Sequence, residues 1–96
     1  MDLYVILRRD AWRSAEELEE AAARSTAEGE RMPDDIRWIR SYVLEEGQGL
    51  GTVCIYEASS PEAIYAHADA AGMLVTEIVK VADTVIVRPD PVPANA

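Results

Sequence analysis

The chain has 96 residues, 49% of them apolar, with 9 basic against 18 acidic side chains and a formal charge of −9. That length holds one domain with one modest core, and that charge disfavours nucleic-acid binding and docking on anionic membranes. The single cysteine excludes an internal disulfide, and no run reaches the ~20 apolar residues needed to span a bilayer.

Leu3–Arg8 is a short apolar run of strand formers and reads as the first strand. Asp2 is acidic and the apolar run Leu3–Leu7 stops at Arg8-Arg9-Asp10, which argues against a signal peptide, so the cytoplasm is the expected address. Ser14-Ala-Glu-Glu17 is a capping box that starts a helix running to about Thr26. Its inner face carries Ala15, Leu18 and Ala22, so small side chains must let it approach a sheet closely. Gly29 and Pro33 mark the loop that ends it.

Ile36–Leu44 reads as the second strand. Strict alternation puts Ile36, Trp38, Arg40, Tyr42 and Leu44 on one face and Arg37, Ile39, Ser41 and Val43 on the other. Glu45–Gly51 is a glycine-rich hairpin loop without the spacing of a phosphate cradle. Thr52–Glu57 is the third strand, with Thr52, Cys54 and Tyr56 opposite Val53, Ile55 and Glu57. Ser59 is the expected N-cap of a second helix, with Ser60 and Pro61 in its first turn and Glu62 completing a capping box. That helix runs to about Ala71, stops at Gly72, and turns Ala63, Ile64, His67, Ala70 and Ala71 inward. Val75–Val87 is β-branched, with a break near Ala82-Asp83, and reads as the fourth strand. Residues 1–88 make the domain and 89–96 a loose proline-rich tail.

The order β-α-β-β-α-β predicts an α+β, ferredoxin-like fold: a four-stranded antiparallel sheet with two helices on one face. Yet apolar residues lie on both sides of the strands. Tyr4 and Ile6 alternate with Leu3, Val5 and Leu7, and Val79 and Val81 with Ile78. The uncovered side predicts a homodimer through the open sheet face, in a dimeric α+β barrel-like assembly.

Among residues with chemistry, His67 lies on an inner stripe. It suits a buried imidazole, a metal ligand or a general acid/base. Cys54 lies mid-strand, where an inert core thiol competes with a soft ligand or nucleophile. Glu57 ends its strand just before a helix cap and is a further donor candidate. Trp38, Arg40 and Tyr42, with the hydroxyls of Tyr56 and Tyr4, form the candidate small-molecule pocket. No nucleotide fingerprint, no flavin signal and no Ser-His-Asp pattern is present.

Trp38-x-x-Ser-Tyr42, Cys54-Ile-Tyr-Glu-Ala58, Pro61-Glu-Ala-Ile-x-x-His67-Ala and Ala71-Gly72 together resemble a bacterial family of small ferredoxin-like proteins of uncharacterised function, which has a nickel-binding dimer among its members. The resemblance runs from the first strand to the fourth and leaves out the tail. It implies a small dimeric metal-binding protein with nickel, or another divalent transition metal, as its cofactor, and it carries over His67, Cys54 and Glu57. The same element order is similar to the dimeric α+β barrel group, which includes cofactor-independent monooxygenases and cyclase- or isomerase-like enzymes. That likeness implies a pocket between sheet and helices for a small apolar or aromatic compound. A third reading, an accessory module that only associates through its sheet, also stands.

Overall fold

The computed structural model describes residues 1–92. Its elements are β1 (Asp2–Trp12), α1 (Ala15–Glu30), β2 (Ile36–Glu46), β3 (Gly49–Ala58), α2 (Pro61–Ala71) and β4 (Glu77–Lys80). The sheet order is β2-β3-β1-β4 with every neighbour antiparallel. Both helices cover one face, so the α+β, ferredoxin-like architecture expected from the element order is the one observed.

Alternation along the two central strands builds the inner face. Tyr4, Ile6 and Arg8 of β1 stand directly opposite Tyr56, Cys54 and Thr52 of β3. Tyr4, Ile6, Ile36, Cys54, Tyr56, Ala58 and Ile64 form the buried core, and Ile6, Ala58 and Ile64 are wholly out of solvent. Full burial of one such isoleucine contributes about 1.5–3 kcal/mol. α1 presents Leu18, Ala21, Ala22 and Ser25 to this face, small enough for close approach. The Arg24 Nε–H of α1 donates to the Ala71 carbonyl at 2.9 Å, joining α1 to the C-terminus of α2.

The strands run differently from the expected bounds, for local reasons. β1 continues past Arg8 to Trp12 because a bulge, with Asp10 at φ 46°, resets its register against β3. Aspartate tolerates that left-handed backbone better than most residues, and the Asp10 N–H donates to Glu46 Oε1 at 3.1 Å. Close packing at this corner explains two glycines. A Cβ on Gly49 would strike the Trp12 carbonyl, and one on Gly51 would strike the Arg8 carbonyl and the Glu46 carboxylate. The hairpin loop thus shrinks from seven residues to Gly47-Gln48. β4 contracts to Glu77–Lys80, and Val85, Ile86 and Val87 stand exposed beyond it.

The helix ends also shift. Ser14 caps α1 as expected, but the Glu17 carboxylate accepts from the Arg13 N–H at 3.0 Å and not from that of Ser14. α1 continues through Gly29 to Glu30. The N-cap of α2 is Ser60, not Ser59: Ser60 Oγ accepts from the Ala63 N–H, while the Ser59 hydroxyl donates to Asp35 Oδ1 at 2.8 Å. Pro61 then occupies the first helical position, where its missing N–H costs nothing. Gly72 closes α2 at φ 66° as expected. The buried stripe is Ile64, His67, Ala68 and Ala71; Ala70 is exposed. Of the tail, Asp90 reaches back to β2, and residues 93–96 lie outside the described residues.

Candidate functional site

A bulge in β2 decides which side chains meet. Trp38 pairs with Tyr56, but Arg40 pairs with Ile55 and Ser41 with Cys54, so Ile39 is the extra residue. The bulge reverses the alternation after Trp38. Trp38, Ser41 and Val43 face the helices, whereas Arg40 and Tyr42 face the other side. The expectation that Trp38, Arg40 and Tyr42 share a face is therefore corrected. Arg40 ion-pairs with Asp90 at 2.8 Å, and the Tyr42 hydroxyl donates to the same carboxylate. The hydrogen bond that Arg40 donates to the Tyr42 oxygen, and then its bond to Asp90, push the Arg40 pKa further up.

The inner face of the sheet and α1 enclose a half-open chamber of about 490 Å³. Trp12, Leu18, Ala22, Trp38, Val43 and Met73 form its apolar walls. A polar ribbon crosses its sheet side. The Trp38 Nε1–H donates to Ser41 Oγ at 2.8 Å, the Ser41 hydroxyl to Cys54 Sγ at 3.0 Å, and the Cys54 thiol to Thr52 Oγ1 at 3.3 Å. Cys54 is thus a hydrogen-bonded thiol within the wall. Tyr56 stacks on Trp38 with ring centroids 6.1 Å apart, and its hydroxyl lies 3.0 Å from Ser25 Oγ. Burial pushes the Tyr56 pKa up, against the opposing pull of its Ser25 hydrogen bond and the nearby Arg8 charge. Tyr56 therefore serves here as a neutral hydroxyl, not as a base.

Arg8 is the feature of this chamber that the sequence reading missed. It lines the chamber at only 1% exposure. One guanidinium nitrogen, Nη1, donates to the Leu74 carbonyl at 2.7 Å. Nε and Nη2 are buried without a partner. A signal was available: Arg8 continues the inward phase Tyr4-Ile6-Arg8 of an otherwise apolar strand.

His67 sits at the far end of the same face. Its Nε2 lies 2.8 Å from the Ser25 carbonyl, which can only accept, so Nε2 carries a proton and donates it there. Nδ1 is buried without a partner. The ring packs against Tyr56 at 5.6 Å and borders a second, more open hollow near Gly29, Pro33 and Ile36. Tyr4 is buried in the core and lines neither cavity. Glu57 points to the outer face, 3.6 Å from Arg37. The structure thus brings Trp38, Tyr56 and Cys54 to one chamber, which Arg40 also borders while its guanidinium turns to Tyr42 and Asp90. It places His67 behind Tyr56 and sends Glu57 and Tyr42 to the opposite side.

The model of the family described as "Nickel responsive protein SCO4226-like" matches residues 4–81. The chain belongs to this family. Two solved structures share its fold. SCO4226 from Streptomyces coelicolor A3(2) is similar at TM-score 0.69 and 18% identity, over 86% of this chain and 99% of that one. SnoaB, described as a cofactor-independent oxygenase from Streptomyces nogalater, is similar at TM-score 0.50 and 18% identity, over 93% of this chain and 100% of that one. No curated protein matches the chain.

The family's description raises nickel, and the donors of one chain do not fit it. Cys54 holds its thiol hydrogen on Thr52, Glu57 is across the sheet with Arg37, and His67 offers a single buried, unpartnered nitrogen. Among the described residues no group of three or more His, Cys, Asp or Glu side chains converges. Nickel needs several nitrogen, oxygen or sulfur donors around one point. None of the described helices is long and apolar enough to cross a membrane.

Proposed function

We propose that this protein is a binding protein for a small, largely apolar organic molecule, held in the chamber between the sheet and α1. One observation carries the reading: a preformed cavity of about 490 Å³, walled by two tryptophans and aliphatic side chains, with a short row of polar atoms on one side. That size and lining match small-molecule sites in general. Binding is favoured over turnover because the chamber presents no nucleophile–base pair: the Tyr56 hydroxyl stays neutral and Cys54 donates to Thr52. The test uses the uncharged fluorophore N-phenyl-1-naphthylamine. Its emission should rise with the native chain and stay at the free-dye level with Ala22→Trp, which fills the chamber from α1. Equal emission with both proteins would refute the chamber as the site.

The working unit in this reading is a homodimer in the cytoplasm. Leu3, Val5, Leu7, Val53 and Ile55 lie on the outer face with no helix above them, and Tyr42 and Val79 are 44% and 47% exposed there. A second copy, related by a two-fold axis, offers this face an equal apolar surface. Light scattering at micromolar concentration should give twice the 10.6 kDa chain mass.

The second reading is nickel binding, supported by the family's description and by the unpartnered Nδ1 of His67. It requires donors beyond those of one chain. Calorimetry with Ni2+ on native protein and His67→Ala decides it, since a lost heat of binding in the variant would establish His67 as a ligand.

A further inference from the structure

Arg8 carries an inference that rests on the chamber being the ligand site and names what the ligand must bear. A guanidinium is a planar fork of five N–H donors. Nη1 is engaged by the Leu74 carbonyl, which fixes the plane. The two idle nitrogens, Nε and Nη2, form one side of the fork, where their N–H bonds run parallel. That side matches the two oxygens of a carboxylate in a bidentate pair. The group is 1% exposed, and none of the ion pairs among the described residues involves it. A buried cation with idle donors is costly to a folded chain, and a matching anion removes that cost.

We propose that the chamber takes a small monocarboxylate with an apolar or aromatic body, its carboxylate paired side-on with Nε and Nη2 of Arg8. The walls fix the rest of the molecule. Trp12, Trp38, Val43, Leu18 and Met73 offer hydrophobic and aromatic surface to the body. A single negative charge suits a chain of formal charge −9 better than a phosphate dianion, because the rest of the molecule repels anions in proportion to their charge. Glu19, which also lines the chamber, disfavours a second acidic group on the ligand.

Calorimetry with 2-naphthoate and 2-naphthalenemethanol tests this on the native chain, Arg8→Lys and Arg8→Met. The two probes share a ring system and differ in charge. The native chain should bind the carboxylate at least roughly tenfold more tightly than the alcohol, the scale of a charge-assisted hydrogen-bonded pair. Arg8→Lys should keep part of that preference, having charge without the fork, and Arg8→Met should lose it while still binding the alcohol. Circular dichroism would establish that each variant is folded. Equal affinity for the two probes in the native chain, or an undiminished preference in Arg8→Met, would overturn the carboxylate assignment. In that event N-phenyl-1-naphthylamine binding, if intact, leaves the chamber itself standing. Loss of all three probes would overturn both.

Discussion

The two ends of the sheet's inner face bury the same kinds of side chain and treat them differently. At one end His67, Ser25 and Tyr56 close on each other: Nε2 bonds the Ser25 carbonyl, the Ser25 and Tyr56 hydroxyls pair, and the two rings pack, with Nδ1 of His67 the one side-chain polar atom of the trio left without a partner. At the other end Arg8 sits against a chamber with two of its three guanidinium nitrogens unused. Burying polar groups is inexpensive when they are paired within the fold, and a buried charge left idle points outward to something the chain lacks. The histidine end therefore reads as structure and the arginine end as a site.

Substitution at each end should separate these roles. The largest effect is expected at the closed end. His67→Ala removes a buried ring and its hydrogen bond to the Ser25 carbonyl, and should cost about 2–4 kcal/mol of unfolding free energy in urea titrations. A cost below about 0.5 kcal/mol would place His67 with idle groups instead. The arginine end should respond in the opposite direction. Arg8→Met replaces an idle buried charge by an apolar side chain of similar length, and should raise stability by about 1–2 kcal/mol in the absence of ligand. Destabilisation there would mean that the fold itself uses the charge. Next in size, Ser60→Ala should cost about 1 kcal/mol as a lost helix cap, with a smaller loss for the exposed Ser59→Ala.

The smallest expected effect depends on pH. Burial raises the Tyr56 pKa above that of the unfolded chain. The folded state then holds the phenolic proton more tightly, so this contribution is complete below about pH 10 and is lost as pH climbs through the folded value. Urea midpoints measured from pH 8 to 11.5 should fall more steeply for the native chain than for Tyr56→Phe.

Alternation and capping made most of the fold legible in the sequence. Ser14, Gly72 and the inward phase of Thr52, Cys54 and Tyr56 depend on local chemistry and came through directly. Bulges did not. The extra residue at Ile39 rotates Arg40 and Tyr42 away from Trp38, and nothing local to Trp38–Tyr42 announces it. The Asp10 bulge likewise carries β1 four residues past its expected end. The exposed run Val85–Val87 reads as strand by propensity, yet strand formation needs a neighbour to pair with, and pairing of β4 with β1 stops at Lys80. The candidate site was half legible. Trp38, Cys54 and Tyr56 were singled out together with residues that the sheet sends elsewhere. Arg8 was read as the charged end of a strand although its phase made it an inner-face residue.

Side-chain resonances offer the most direct test of the contrast between the two ends. Titration of 15N-labelled protein with 2-naphthoate should move the Arg8 Nε–H signal downfield and shift the Trp38 Nε1–H, while the His67 ring nitrogens stay where they are. Shifts centred on His67 with Arg8 Nε–H unmoved would contradict the assignment of the arginine end as the site.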